Sequence, residues 1–176
     1  MVCLVGLAAV LVGVYWAAAL VQGVFYVGDI FRLGYPARSV YAQALAAGHI
    51  PLWTPDAFAG YPVLAEGQTG AYYPVNLLLY RLLPLPAALN YSVLIALWLA
   101  GAGMVAYARS VGLRHGPAFL AGCVFMLGGA VTGHVDHLNM LAAIAWLPLL
   151  LSAVERATQG GGWRRWAVGA VIFGVQ

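Results

Sequence analysis

VGDIFRLGYPARSVYAQALAAGHIPLWTPDAFAGYPVLAEGQTGAYYP occupies residues 27–74. The text on either side of it is almost wholly apolar. Three of the chain's five carboxylates fall inside it, Asp29, Asp56 and Glu66, together with Arg32, Arg38 and His49. A long polar segment between apolar runs reads as a loop between membrane spans. Chemistry outside a bilayer is expected in this segment.

Composition supports that reading. The 176 residues are 64% hydrophobic and 7% charged, with no lysine, where a soluble domain carries about a quarter charged residues. Mean hydropathy is +0.89. Both values place the chain in the membrane class. The net charge of +3 comes from eight arginines, read as orientation signals at span ends rather than as a nucleic-acid footprint. Cys3 and Cys123 lie within apolar runs and imply no disulfide framework.

A span needs roughly 20 apolar residues. The candidates are residues 1–27, 86–107, 117–133 and 138–154, with an incomplete fifth over 163–176. The expected fold is all-α: a polytopic transmembrane helix bundle whose long first loop, 28–85, lies outside. The interrupted fifth span predicts that this is the N-terminal module of a longer chain. Ala17-Ala18-Ala19 offers a small-residue cleavage site. No basic residue precedes the first run, however, and it exceeds the apolar region of about 7–15 residues found in a signal peptide.

Arg109 and Arg114 follow the second span, and Arg156, Arg164 and Arg165 follow the fourth. The GHVDH connection between the third and fourth spans holds no arginine. The positive-inside rule then puts the arginine-bearing connections and the N-terminus in the cytoplasm, with the 28–85 loop and GHVDH on the outer face. Within the loop, residues 36–47 predict a short helix, with Pro36 in its first turn and Gly48 at its stop. Beyond Gly48, Pro51, Pro55 and Pro62 rule out a long helix. Trp53, Phe58, Tyr61, Tyr72 and Tyr73 are aromatics of the kind that settle at headgroup depth. Residues 75–83 predict an interfacial or re-entrant helix. Paired glycines, Gly101/Gly103 and Gly128/Gly129, favour close helix packing.

Asp29 stands just past the first span. A carboxylate at a helix C-terminus is disfavoured by about 0.3–1 kcal/mol, so helix stability does not account for it. It reads either as a cap or surface partner of Arg32, or as a general base or metal ligand. Gly133-His134-Val135-Asp136-His137 groups two imidazoles with a carboxylate. It reads as a polar turn, or as a site where Asp136 with His134 or His137 holds a divalent cation such as Mg or Mn. Both segments fall on the outer face, so their acidic groups can converge over one cavity. In the proline and aromatic half of the loop, Glu66 and Gln68 are candidates to hydrogen-bond sugar hydroxyls. Trp53 and Tyr61 are candidates to stack on a sugar ring. The competing reading is a solvated loop with interfacial anchors. His49 and His115 stand alone.

Gly48-His49-Ile50-Pro51-Leu52-Trp53-Thr54-Pro55, Gly60-Tyr61-Pro62, Gln68 and Tyr73-Pro74-Val75-Asn76 resemble the outer loop of bacterial YfhO-type membrane proteins, G-x-x-P-L-W-N-P … G-x-P … Q … Y-P-x-N. Thr54 replaces the expected Asn. Gly133-His134 with His137, and Trp146-x-Pro148, resemble that family's later spans. Such proteins are similar to the GT-C superfamily of polytopic glycosyltransferases, which take sugars from lipid-phosphate donors. The resemblance implies a catalytic acid at Asp29, a second acidic site at Asp136 and a chain several times longer. A single Asp at Gly28-Asp29-Ile30, in place of an acidic pair, leaves the metal requirement open.

The expected activity is transfer of a sugar from a polyprenyl-phosphate donor to an outer-face acceptor, in a bacterial cytoplasmic membrane. The expected partners are membrane lipid and the lipid-linked donor, with Arg32, Trp53, Tyr61, Glu66 and Gln68 as the substrate-binding set. The alternatives are a transporter or flippase-like protein for lipid-linked sugars, and a structural subunit of an envelope assembly. A transporter would place its polar sites near mid-membrane.

Overall fold

In a computed structural model, residues 2–56, 59–160 and 162–175 are described. Phe58 of the aromatic set lies outside them, as do Met1 and Gln176, the outer limits of the first and last predicted spans. The described residues form helices and irregular loops without a β-strand; Thr54 and Tyr61 form one isolated antiparallel bridge. The helices are α1 (Val2–Val14), α2 (Trp16–Ala19), α3 (Tyr35–Ala46), α4 (Pro74–Leu82), α5 (Leu85–Ser110), α6 (His115–Leu127), α7 (Gly129–Thr132), α8 (Leu138–Thr158) and α9 (Gly162–Val175).

Among the described residues, three stretches are long and apolar enough to cross a membrane: Leu85–Ser110, His115–Thr132 and Leu138–Thr158. At 1.5 Å per residue the 26-residue α5 is about 39 Å long, more than a hydrocarbon core of about 30 Å. The 13 residues of α1 reach only about 20 Å. The chain divides into two compact units: residues 1–16, 94–135 and 140–176, and residues 17–93 with 136–139.

In the first unit, small residues let backbones approach. A β-carbon at Gly6 would meet the Phe119 ring at 2.9 Å, and one at Gly101 would meet Met126 at 3.0 Å. One at Gly103 would meet Leu149 at 3.0 Å. These contacts bring α1 to α6, α5 to α6 and α5 to α8, as glycine-mediated packing predicts. Gly128 does something else. Its backbone is extended, φ −68° and ψ 149°, and it separates α6 from α7.

The first predicted span, 1–27, is not one helix. It ends at Val14, restarts for four residues and then leaves helical geometry. Asn90, a fully buried residue of α5, accounts for the departure. Its Nδ2 donates to Ala18 O (3.0 Å) and Gly23 O (2.7 Å), and its Oδ1 accepts from Phe25 N (3.1 Å). The Tyr91 hydroxyl adds a bond to Ala19 O at 3.0 Å. Backbone groups outside a helix need such partners when water is absent. These contacts lie within the second unit.

That second unit turns the polar loop into a folded body. Residues 30–34 form a π-helical turn running into α3, with Pro36 in the first turn as expected. α4 covers the predicted helix at 75–83. Tyr41, Leu45, Ala71, Tyr80 and Ala88 make its core. The Tyr41 hydroxyl donates to Ala71 O at 2.7 Å and Asn76 Nδ2 to Gly70 O at 3.0 Å. The Y-P-x-N motif therefore pins α4 to the loop before it.

Candidate functional site

Within the second unit a cavity of about 340 Å³ has three walls. The π-turn and α3 give Asp29, Arg32, Pro36 and Arg38; the proline-broken loop gives Thr54, Asp56, Tyr61, Glu66, Gln68 and Thr69. Residues 136–139 give Asp136, His137, Leu138 and Asn139. Four carboxylates, two guanidiniums and one imidazole therefore share one space.

Asp29 stands at the N-cap of the π-turn, a helical irregularity frequent at functional sites. It precedes Ile30 but makes no side-chain capping bond. Its partner is His137 rather than Arg32: Nε2 of His137 lies 3.6 Å from Asp29 Oδ2, and Nδ1 lies 2.8 Å from Asp136 Oδ1. One imidazole thus stands between the two carboxylates that the sequence proposes as a pair. Asp29 keeps 45% of its side chain exposed, enough to meet a substrate from the cavity. Tyr26, edge-on to Phe31 (5.0 Å) and Tyr35 (5.5 Å), braces the approach to the turn.

Gly28 sets the closeness of the two segments. Its φ is +51°, and a β-carbon there would overlap the Asp136 carboxylate. A side chain is excluded twice over, by conformation and by space.

Arg38 is the residue whose part the sequence conceals. It is buried, 3% exposed, and its guanidinium lies 5.1 Å from the centre of the Tyr80 ring. Nη1 has no hydrogen-bond partner among the described residues. Burying a cation is costly unless it is paired, and a cation–π contact of about 2 kcal/mol when desolvated offsets part of this. A positively charged group with spare donors is therefore held in the cavity wall. The signal in the sequence was an arginine six positions after Arg32, on the predicted helix.

The loop wall is held by local bonds. Glu66 Oε2 accepts from Thr69 N (3.2 Å) and Thr69 Oγ1 (3.3 Å), so this carboxylate caps a short 3-10 turn, Gly67–Thr69, as well as facing the cavity. The Thr54 hydroxyl accepts from Asp56 N and donates to Asp56 Oδ2, both at 3.3 Å. Burial, and then the neighbouring Glu66, push the Tyr61 phenol up from its ordinary value. It stays a neutral donor.

Of the residues selected from sequence, Asp29, Arg32, Tyr61, Glu66, Gln68, Asp136 and His137 line this cavity. Two are not brought in. His134 belongs to the other unit. Trp53 is 59% exposed, and its ring lies where a β-carbon on Gly60 would sit, so it covers that backbone instead of lining the cavity. Gly60 has φ +126°, which allows the turn to bring its backbone under the ring.

Among the described residues, no group of three or more His, Cys, Asp or Glu is arranged to hold a metal ion. A divalent cation between Asp29 and Asp136 would have to displace the imidazole from between them. Comparison with family models, curated proteins and solved structures finds no significant match for the chain.

Proposed function

We propose that the protein is a membrane glycosyltransferase that moves a sugar from a polyprenyl-phosphate donor to a hydroxyl acceptor on the outer face. The meeting of Asp29 and Asp136 on His137, in a cavity that also holds the buried Arg38, is the observation that supports this reading. The resemblance of the 48–76 segment to YfhO-type proteins points the same way.

The roles rest on charge and reach. Asp29, the more exposed carboxylate, accepts the acceptor's hydroxyl proton as the nucleophile forms. His137, fixed by Asp136, orients Asp29 and stabilises its charge. The acceptor oxygen bonds to the anomeric carbon as the bond from that carbon to the phosphate oxygen breaks. The electron pair of that bond leaves on polyprenyl phosphate. Arg38 and Arg32, both in the cavity wall, hold that growing phosphate charge, as guanidinium groups do bidentately. Tyr61 and Gln68 present hydrogen-bonding groups to the sugar.

The test is transfer of labelled sugar from a polyprenyl-phosphate carrier by the full-length protein in its membrane, with and without EDTA. Transfer that persists in EDTA fits the imidazole-centred site. Transfer abolished by EDTA and restored by Mg or Mn assigns a divalent cation to the acidic pair. Movement of labelled carrier across the bilayer without any sugar transfer would replace this reading with the transporter.

A further inference from the structure

We infer that the arginine-lined cavity of the first unit is a binding site for the phosphate of an anionic phospholipid headgroup. It lies among Arg109 in the last turn of α5, Arg156 in the last turn of α8 and Arg165 near the start of α9. The space measures about 640 Å³ and is completed by Ser110, Ala153, Gln159 and Val168.

No acid lines it. The nearby Glu155 accepts from Gln159 Nε2 at 2.8 Å, and the same amide nitrogen donates to Ser110 O at 3.1 Å. Two of the arginines are tied to backbone carbonyls. Arg165 Nη1 donates to Arg156 O at 2.8 Å and Arg109 Nη1 to Leu113 O at 2.6 Å. Each bond uses one of the five donors of a guanidinium. Three guanidiniums with remaining donors and no carboxylate among the described lining residues give the composition of an anion site.

The surroundings select a lipid rather than a soluble anion. α5 and α8 are two of the helices long and apolar enough to cross a membrane, and both end here. Ala153 and Val168 give the cavity an apolar side. On α9, Trp163 and Trp166 are 75% and 53% exposed, a pair suited to headgroup depth. Basic pockets between spanning helices recognise anionic headgroups in this way.

The experiment uses the full chain, delipidated in neutral detergent, with lipid retention read by native mass spectrometry. Phosphatidylglycerol should be retained at least tenfold more than phosphatidylcholine, and inorganic phosphate should not displace it. Arg165→Gln should weaken retention about fivefold, and Arg109→Gln with Arg165→Gln about twenty-five-fold, at roughly a fivefold loss for each surface arginine removed. Arg109→Lys with Arg165→Lys should recover most of it, tying the loss to the positive charge. Arg114→Gln, outside the cavity, should change little. Equal retention of phosphatidylcholine would overturn the site. So would an equal loss in Arg114→Gln, which indicates only general surface charge, or displacement by inorganic phosphate, which indicates a soluble anion.

Discussion

Asp29 and Gly28 are neighbours with separable duties. Asp29→Asn keeps the shape of the side chain and removes the base, so sugar transfer should fall 10²–10⁴-fold, the usual range for a general base, while thermal stability changes little. Unchanged transfer in that variant would remove Asp29 from the chemistry. Gly28→Ala acts on geometry instead. A left-handed φ costs a non-glycine residue on the order of 1 kcal/mol or more, and the added methyl pushes Asp136 away from His137. It should lower both the melting temperature and transfer, whereas Asp29→Asn lowers only transfer. The two acidic positions stood out in the sequence, one at a span end and one in a turn between spans, while a cap and a polar turn stayed open as structural readings of them. Arg38 was not legible. A single arginine on a short helix carries no mark of burial, and what buries it is Tyr80, 42 positions away on α4.

At the level of elements, the short loop helices and the later spans were readable from proline, glycine and apolar run length. The end of the first helix at Val14 was not, because its cause is a side chain far along the chain. Asn90 reads as one more polar residue at the start of a span, yet it satisfies three backbone groups of the segment that breaks. Asn90→Leu should destabilise the protein by about 3 kcal/mol, at about 1 kcal/mol for each bond lost, seen as a lower unfolding midpoint in detergent. A cost below about 0.5 kcal/mol would mean that the break has another origin. α3 makes a separate prediction. Burial pushes the Tyr41 hydroxyl up to about 12, with Arg38 pulling against it and Tyr80 adding to it. The folded state therefore holds this proton more tightly than the unfolded chain does, near 10. The stability this gives is complete below about pH 10 and is lost as pH rises from 10 through 12. Tyr41→Phe should lose the bond to Ala71 O at neutral pH and show a shallower alkaline decline, read from melting temperature against pH. An equally steep decline in both proteins would assign the effect to other groups.

On the scale of the whole molecule, arginine placement and helix direction make one claim together. α5 ends and α6 begins at Arg109 and Arg114; α8 ends and α9 begins at Arg156, Arg164 and Arg165. If both intervening helices cross, the two connections lie on one side of a bilayer, and five arginines in short connections then favour the cytoplasm. On that proposed orientation the 28–85 segment would face outward, the side on which the proposed transfer needs its lipid-linked donor. Long segments vote weakly in this rule, so Arg32, Arg38 and Arg81 do not reverse it. The claim is open to measurement with cysteine probes in a chain whose Cys3 and Cys123 are replaced by alanine. Tyr72→Cys, at a position 67% exposed, should react with a membrane-impermeant maleimide added to intact cells. Thr158→Cys, exposed at the end of α8, should react only after the membrane is opened. The reverse pattern would put the cavity in the cytoplasm. It would end the outer-face reading and move the arginine-lined lipid site to the opposite leaflet.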